Sequence, residues 1–503
     1  MNRLFRWSST GCLLLLLVGA VAAADPVITG TNSSTLARSG RLSITGTGFG
    51  TAGTVLIAGL PALDSAWTDA RIVAYVPEEA PLGATEIVVD AGGQQSNAVP
   101  LTVTTRQADG RVNWIFEIDS EYLYYRPAQA PDGTLYVHAR GTGGSGQGRI
   151  FAVAPDGALL WIYKDLPGSA YVPPAAGPDG AVYAGTLDTL YRISPAGELD
   201  WTFQGGLNIQ SGAVVGPDGT VYAGFEHPPE AVALDPATGA LIWSNSPGLS
   251  AYGTGGNEAR LGRSAPGGPY DRFYLWWDQL GAFSLDGDHL FTTTAGNIYD
   301  HEVAVGSDGT LYTPVLWDDD LGALSPFNGD TLWVETGPWN VVSSDVEIGP
   351  DDMLYFVGTS SWLEAFDPYT RTSKWRRDVG YYLRRPSLSP DGTTLLTGAG
   401  GTCNTPNGDC VIAFIKAFDT TNGDELWHID LDEVWDPEFR SITWDHGRVS
   451  ADSRTAYFTG FILGYGDAND EHSLLWSVQL VDGAIFADGF ESGDTSAWTE
   501  TVP

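Results

Sequence analysis

Charged residues recur in this chain at a fixed distance from a turn. Five or six residues ahead of a Pro-Asp-Gly proline, or its equivalent, stand Arg126, His301, Glu302, Asp345, Arg384, Arg385, Asp445 and His446. Arginine forks grip carboxylates or phosphates in bidentate fashion, and carboxylates beside histidines can move protons. Charges where Val or Ala would suffice make either a self-paired, solvated funnel or a site for a small polar ligand or peptide end. Other catalytic signatures are missing. The chain has no Gly-x-Ser-x-Gly nucleophile elbow and no His-Glu-x-x-His zinc motif, and its histidines are scattered. Asp318-Asp319-Asp320 and the group Asp467, Asn469, Asp470 and Glu471 are oxygen-rich stretches of the kind that can hold calcium. Neither has EF-hand spacing, so a solvated acidic loop is the favoured reading. No catalytic residue and no cofactor are assigned, with calcium left open.

The turns that set this distance belong to a repeat. They are Pro131-Asp132-Gly133, Pro178-Asp179-Gly180, Pro217-Asp218-Gly219, Asp271-Arg272, Ser307-Asp308-Gly309, Pro350-Asp351-Asp352, Pro390-Asp391-Gly392 and Asp452-Ser453. Each precedes a β-run, then a second turn, then a bulky aromatic: Trp161, Trp201, Trp243, Phe291, Trp333, Trp375, Trp427 and Phe486. Trp114, upstream of the first turn, fills the same role. Short strands repeating roughly every forty to fifty residues predict a radial array of small sheets, an eight-bladed β-propeller over residues 111–486. The strand before each Asp-Gly turn is expected to be innermost, which puts the charged set at the channel mouth. Trp114 is expected on a strand that completes the last blade, in one sheet with Phe486, so that strands from both ends close the ring and hide its edges.

The units carry more than a generic propeller. Ala233-Asp235-Trp243, Ala365-Asp367-Trp375 and Ala417-Asp419-Trp427 share one spacing, and Gly239, Gly329 and Gly423 sit four residues before an aromatic. This resembles the pyrroloquinoline-quinone-type repeat, in which each tryptophan packs between blades and eight blades are typical. The resemblance implies a structural docking role for Trp114, Trp161, Trp201, Trp243, Trp333, Trp375 and Trp427. It also raises an enzyme reading, because quinoprotein dehydrogenases share the repeat. Those enzymes hold the quinone against an adjacent-cysteine disulfide and a bound calcium. Here Cys403 and Cys410 are separated by a turn-rich stretch, and no adjacent pair exists.

Residues 25–104 read as a separate small β-sandwich of short alternating runs. Gly46, Gly48-Phe49-Gly50, Trp67-Thr68-Asp69, Val76-Pro77 and Ser96-Asn97-Ala98 resemble the IPT/TIG family of immunoglobulin-like domains, which implies a spacer or adhesion module. Residues 105–110 form a polar linker. Residues 1–24 read as a signal peptide, with Arg3 and Arg6 ahead of an apolar run too short to cross a bilayer and Ala22-Ala23-Ala24 before the cleavage point. Cys12 precedes that run and is misplaced for lipid attachment. Residues 487–503 resemble a short tail found on exported Gram-negative proteins, a sorting motif or a loose end.

With 25 basic and 62 acidic residues, the net charge is −37. Nucleic acid and anionic lipid are thereby excluded as partners. An oxidising destination predicts a Cys403–Cys410 disulfide. The expectation is an exported, all-β, non-catalytic monomer without a transmembrane segment. It binds protein or carbohydrate at the surface of, or outside, a Gram-negative cell, with the periplasm as the alternative. A divergent quinoprotein or hydrolase and an envelope-assembly factor are the competing readings.

Overall fold

In a computed structural model, residues 25–106, 111–119, 123, 125–140, 147–168, 172–247, 257–277, 279–293, 303–315, 320–336, 346–358, 362–379, 385–405, 408–430, 439–464 and 472–480 are described. Every regular element among them is a strand.

The N-terminal unit has two ladders joined through the shared strand Leu60–Trp67, antiparallel except that Thr35–Ala37 pairs parallel to Val99–Thr104. One ladder runs Val27–Thr31, Arg41–Thr47, Arg71–Tyr75 and Leu60–Trp67; the other continues through Thr54–Ile57, Gly83–Ala91 and Val99–Thr104 to Thr35–Ala37. Both supply one apolar cluster that includes Leu42, Ile44, Phe49, Ile57, Ile72 and Val89. The residues singled out in the sequence have physical tasks here. A Cβ on Gly46 would lie 2.1 Å from the Val27 carbonyl and 2.3 Å from the Phe49 ring. The Trp67 indole donates to the Phe49 carbonyl at 3.0 Å, and Asn97 bonds both backbone groups of Ile28.

Eight further sheets follow, each of four strands, with a fifth short strand added to the third. They are the blades. In blade one the order from the axis outward is Ala128–Gln129, Leu135–Arg140, Gly148–Val153 and Leu159–Leu166. Its first turn shows how the sequence fixes the repeat. Asp132 Oδ1 accepts from the Thr134 amide at 2.9 Å, and Gly133 takes φ +90°, a left-handed value that glycine adopts without strain. Blade eight takes Phe439–Val449, Thr455–Gly464 and His472–Gln479 from the far end of the propeller. Its outermost strand is Val112–Ile118, in register as Trp114 opposite Ser477 and Ile118 opposite Ser473. The ring is therefore closed by strands from both ends. Trp114 holds the outer position expected of Phe486, which lies outside the described residues.

Adjacent blades are joined through the aromatics. The indole N–H of Trp114, Trp161, Trp201, Trp243 and Trp375 donates to a carbonyl of the next blade, those of Pro155, Pro195, Pro236, Leu285 and Thr420, at 2.8–3.1 Å. Each ring lies on a left-handed glycine of that blade's outer turn: Gly157, Gly197, Gly239, Gly287 and Gly423. Phe291 lies on Gly329 in the same way but has no N–H to donate. Trp333 meets Phe366, and the glycine's place is taken by Arg371 at φ +55°. The Arg111 guanidinium covers Trp427 at 4.9 Å. Within its own blade nearly every docking ring also packs on a tyrosine of the second strand, as Trp161 on Tyr136 and Trp114 on Tyr457.

Two features differ from expectation. In blade four the innermost strand is Arg260–Gly262, and Asp271 ends a longer loop in which Ser264 and Arg272 bond its carboxylate. The cysteines lie on a long hairpin, Thr394–Thr405 with Gly408–Asp419, and Cys403 is the register partner of Cys410.

The N-terminal unit is docked on the ring seam. Asp119, fully buried just past the closing strand, receives Arg41 Nη2 at 3.4 Å and the Ser65 hydroxyl at 3.2 Å from one side, and Arg149 Nη1 of blade one at 3.3 Å from the other. Its amide donates to the Tyr75 hydroxyl, whose ring stacks on Phe116. Ser39 Oγ accepts from the Leu159 amide, and Lys164 pairs with Asp64 at 2.7 Å. Arg106, in the predicted linker, pairs with Glu78 and donates to the Asp156 carbonyl.

Candidate functional site

The propeller leaves a channel along its axis, walled by the first strand of each blade. One position per blade can be matched by register, because it pairs with the tyrosine, or in blade seven Leu396, of the second strand. Around the ring these positions are Ala128, Ala175, Val214, Arg260, Ala304, Glu347, Ser387 and Arg448. Small residues are needed where eight strands converge on an axis. The two arginines and the glutamate are therefore departures from the architectural need.

Two cavities lie at the end of the channel that carries the Asp-Gly turns. The outer one, of about 720 Å³, has Asp132, Asp452, Gln129, Arg448 and Tyr457 in its wall. The inner one, of about 360 Å³, is walled by prolines, alanines and valines of blades one to four together with Gln129, Arg260, Tyr270 and Arg448. Gln129, Ala176 and Arg448 belong to both walls, so the two are continuous. Arg263 stacks over the Tyr270 ring at 4.8 Å. Asp132 and Asp452 each use Oδ1 to accept a turn amide, which fixes their orientation at the rim.

Of the charged set read from the sequence, two side chains are described. Arg126 is half-buried ahead of Ala128–Gln129. Arg385 is buried ahead of Ser387–Leu388, with Nε 3.7 Å from Glu347 Oε1. Asp445 and His446 fall on the strand Phe439–Val449, and their side chains are outside the described residues, as are those of Cys403 and Cys410. His301, Glu302, Asp345 and Arg384 lie outside it entirely, as do Asp467, Asn469 and Asp470. Arg385 thus meets Glu347, which sequence reasoning did not name. Arg260, Tyr270 and Arg448 were missed as well. Arg260 stands fourteen residues before its partner Tyr274, whereas Ala128 stands eight before Tyr136, because the blade-four loop is longer. Glu347 and Arg448 stand three residues before the proline position of their turns, as Ala128 does, so an offset of five or six passes over this level, and in blade four the longer loop moves Arg260 further still.

The titration shifts follow the architecture. Burial pushes Tyr136, Tyr222, Tyr355 and Tyr457 up to about 12. Burial lowers His138, between blades one and two, to about 4. Threonine hydroxyls hold the turn carboxylates Asp235 and Asp419 below the usual range. Among the described residues no group of three or more His, Cys, Asp or Glu could hold a metal, and no helix is long and apolar enough to cross a membrane.

Residues 101–266 match the family profile described as outer membrane protein assembly factor BamB. That match spans about a third of the chain, from the end of the N-terminal unit into blade four. No curated protein matches the sequence. Among solved structures, the C-terminal WD40 domain of Sif2 is 9% identical, over 74% of this chain and 99% of that one, with a TM-score of 0.52. The Dos1 propeller is 12% identical, over 72% and 93%, with a TM-score of 0.51. Both show the propeller fold. BamB from Moraxella catarrhalis is 15% identical, over 60% and 81%, with a TM-score of 0.38, too loose a superposition for residue-level comparison. At these identities the propeller shares an architecture with the first two structures, and function has to be argued from the site.

Proposed function

We propose that this protein is a non-catalytic scaffold that binds other proteins of the bacterial envelope or exterior through the turn face of its propeller. The observation that carries this reading is the match of its repeats to an assembly factor for outer membrane proteins. The turn face adds support. Phe327 and Tyr369, on the outer turns of neighbouring blades five and six, are 68% and 62% exposed. The Tyr369 ring is held by its hydroxyl, and the turn that presents Phe327 is fixed at the backbone. The Tyr369 hydroxyl donates to Asp352 at 2.6 Å, and the Phe327 amide donates to Ser325 Oγ. Rigid exposed aromatics are what protein interfaces use as anchors, since they bury area at little entropic cost. In this reading residues 25–104 are an IPT/TIG-like module, residues 1–24 direct export, and the mature protein acts as a monomer in the periplasm or at the cell surface.

The test is photo-crosslinking in the native envelope from a probe amino acid at Phe327 or Tyr369. Defined outer-membrane or exported proteins should be captured, and the double change Phe327→Ser with Tyr369→Ser should weaken capture by a probe at a neighbouring turn. Equal capture by wild type and double variant would refute the assigned face. Dye-linked dehydrogenase activity after addition of pyrroloquinoline quinone and calcium would overturn the non-catalytic reading.

A further inference from the structure

We propose that the larger cavity of the turn face, at the junction of blades eight and one, is a carbohydrate-binding site, in which Asp132, Asp452, Gln129 and Tyr457 hydrogen-bond the hydroxyls of a neutral saccharide. The inference goes beyond the scaffold role and stands without it.

The repeat is broken at this junction. In blade one the Tyr136 hydroxyl donates to the Gly180 carbonyl in the inner turn of blade two. Tyr457 holds the register position of Tyr136 in blade eight, and Gly133 is the counterpart of Gly180 in blade one. Both stand in the wall of the cavity of about 720 Å³. Yet the Tyr457 hydroxyl has no hydrogen-bond partner among the described residues, although the residue is only 3% exposed. A buried hydroxyl in that state is unfavourable unless water or a ligand completes it. The Tyr457 ring is fixed against Trp114. Burial first, and the Asp452 carboxylate second, push its hydroxyl up to about 12, so it stays a donor beside that carboxylate. The two aspartates are aimed by their turns. Oδ1 of Asp132 accepts from the Thr134 amide, and Oδ1 of Asp452 accepts from the Ser450 hydroxyl and the Arg454 amide. Oδ2 of each has no hydrogen bond or ion pair among the described residues, and neither has the side-chain amide of Gln129 on the inner strand of blade one.

The ligand class follows from this mixture of open donors and acceptors. A saccharide hydroxyl does both. Neighbouring hydroxyls can donate to the open oxygens of Asp132 and Asp452 in charge-assisted bonds, while Tyr457 and the Gln129 nitrogen donate to others. Arg448 is in the same wall and engages other groups of the protein. It sets a positive charge near the two negative ones, so the wall gives no ionic ligand a clear advantage and does not penalise a neutral one. Four prolines of the wall offer apolar faces for the C–H side of a sugar ring. The volume falls in the range of small-molecule sites. The aspartates and the tyrosine are oriented before a ligand arrives, which lowers the ordering cost of binding.

The experiment is isothermal titration of the protein with maltose, cellobiose, lactose and diacetylchitobiose, each run separately, with putrescine and inorganic phosphate as ionic comparisons. At least one disaccharide should bind, with an affinity unchanged between about 0.05 and 0.5 M salt, because the ligand carries no charge to be screened. Asp132→Asn and Asp452→Asn keep the side-chain oxygen that accepts from the turn amide, so the turns should hold. Each should weaken binding about ten- to hundredfold, the loss expected for a hydrogen bond to a charged group. Tyr457→Phe removes a hydroxyl with no partner among the described residues; it should weaken binding about two- to tenfold and leave the urea midpoint unchanged. Asp218→Asn, at the same turn position in blade three, should change nothing. No heat from any of the four disaccharides, full affinity in the double asparagine variant, or sugar binding that fades with salt overturns the proposal.

Discussion

Trp375 and Gly423 form the contact on which the docking argument can be measured. Trp375 is 7% exposed, donates to the Thr420 carbonyl at 2.8 Å and lies on Gly423 of the next blade. Trp375→Ala removes a buried aromatic and should cost about 3–5 kcal/mol. Gly423→Ala acts twice. At φ +73° a side chain costs about 1–2 kcal/mol in backbone strain, and its Cβ would sit 2.5 Å from Trp375 Cδ2, which adds about 1–3 kcal/mol of overpacking. In the double variant the ring is gone, so the overpacking disappears and only the strain remains. Its cost should fall short of the sum of the singles by about 1–3 kcal/mol. Urea unfolding followed by far-UV circular dichroism gives all three values, with a common slope as the check that the same transition is compared. Additivity within about 0.5 kcal/mol would mean that ring and glycine do not touch, and the account of blade docking would be wrong.

Three other perturbations probe different parts. Asp119→Ala strands Arg41 and Arg149 without their shared carboxylate; it should cost about 3–5 kcal/mol and open residues 105–110 to limited proteolysis, and unchanged protease resistance would refute the clasp. His138 is buried neutral with a value of about 4 against an ordinary 6.5, so the unfolded chain takes up a proton that the folded one refuses. Stability should fall as pH drops from about 6.5 to about 4, by up to roughly 3 kcal/mol, and His138→Phe should flatten that slope in urea midpoints measured across the range. Cys403 and Cys410, as register partners, should yield no free thiol in denatured protein purified from the exported fraction, and two thiols by colorimetric titration would refute the disulfide.

The repeat was legible because it is made of local chemistry. Asp-Gly turns, a following tyrosine and a closing aromatic each work within a few residues of themselves, so blade number and the docking tryptophans could be read directly. The strand containing Trp114 was also readable, since an aromatic of the closing type stands upstream of the first turn, although Phe486 was expected in the same sheet. Tyrosines stand two to four residues past seven of the eight turns, but their pairing with the tryptophans needs the sheet register. Arg260, Glu347 and Arg448 were passed over because the level opposite the second strand's tyrosine lies three residues before the turn and not five or six, and in blade four the loop is longer still. Asp119 could not be read, because Arg41, Ser65 and Arg149 converge on it from 30 to 78 positions away. The glycines behaved differently from their spacing. Gly423 counts four back from Trp427, yet it serves Trp375 of the preceding blade.

The seam has a consequence in time. Val112–Ile118 is made early and its partner His472–Gln479 late, so synthesis must proceed from Ile118 to His472 before the ladder can form. At about 5–20 residues per second, that wait is roughly twenty seconds to a minute or more. An unpaired strand edge invites association with other chains throughout that interval. The N-terminal unit is complete before the strand emerges, and Tyr75 on Phe116 with Arg41 on Asp119 gives the strand somewhere to lie. The unit is then an escort as well as a clasp. A chain stopped at Gly464 should stay soluble with the unit present and aggregate when Asp119→Ala loosens it; equal solubility of the two would remove the escort role.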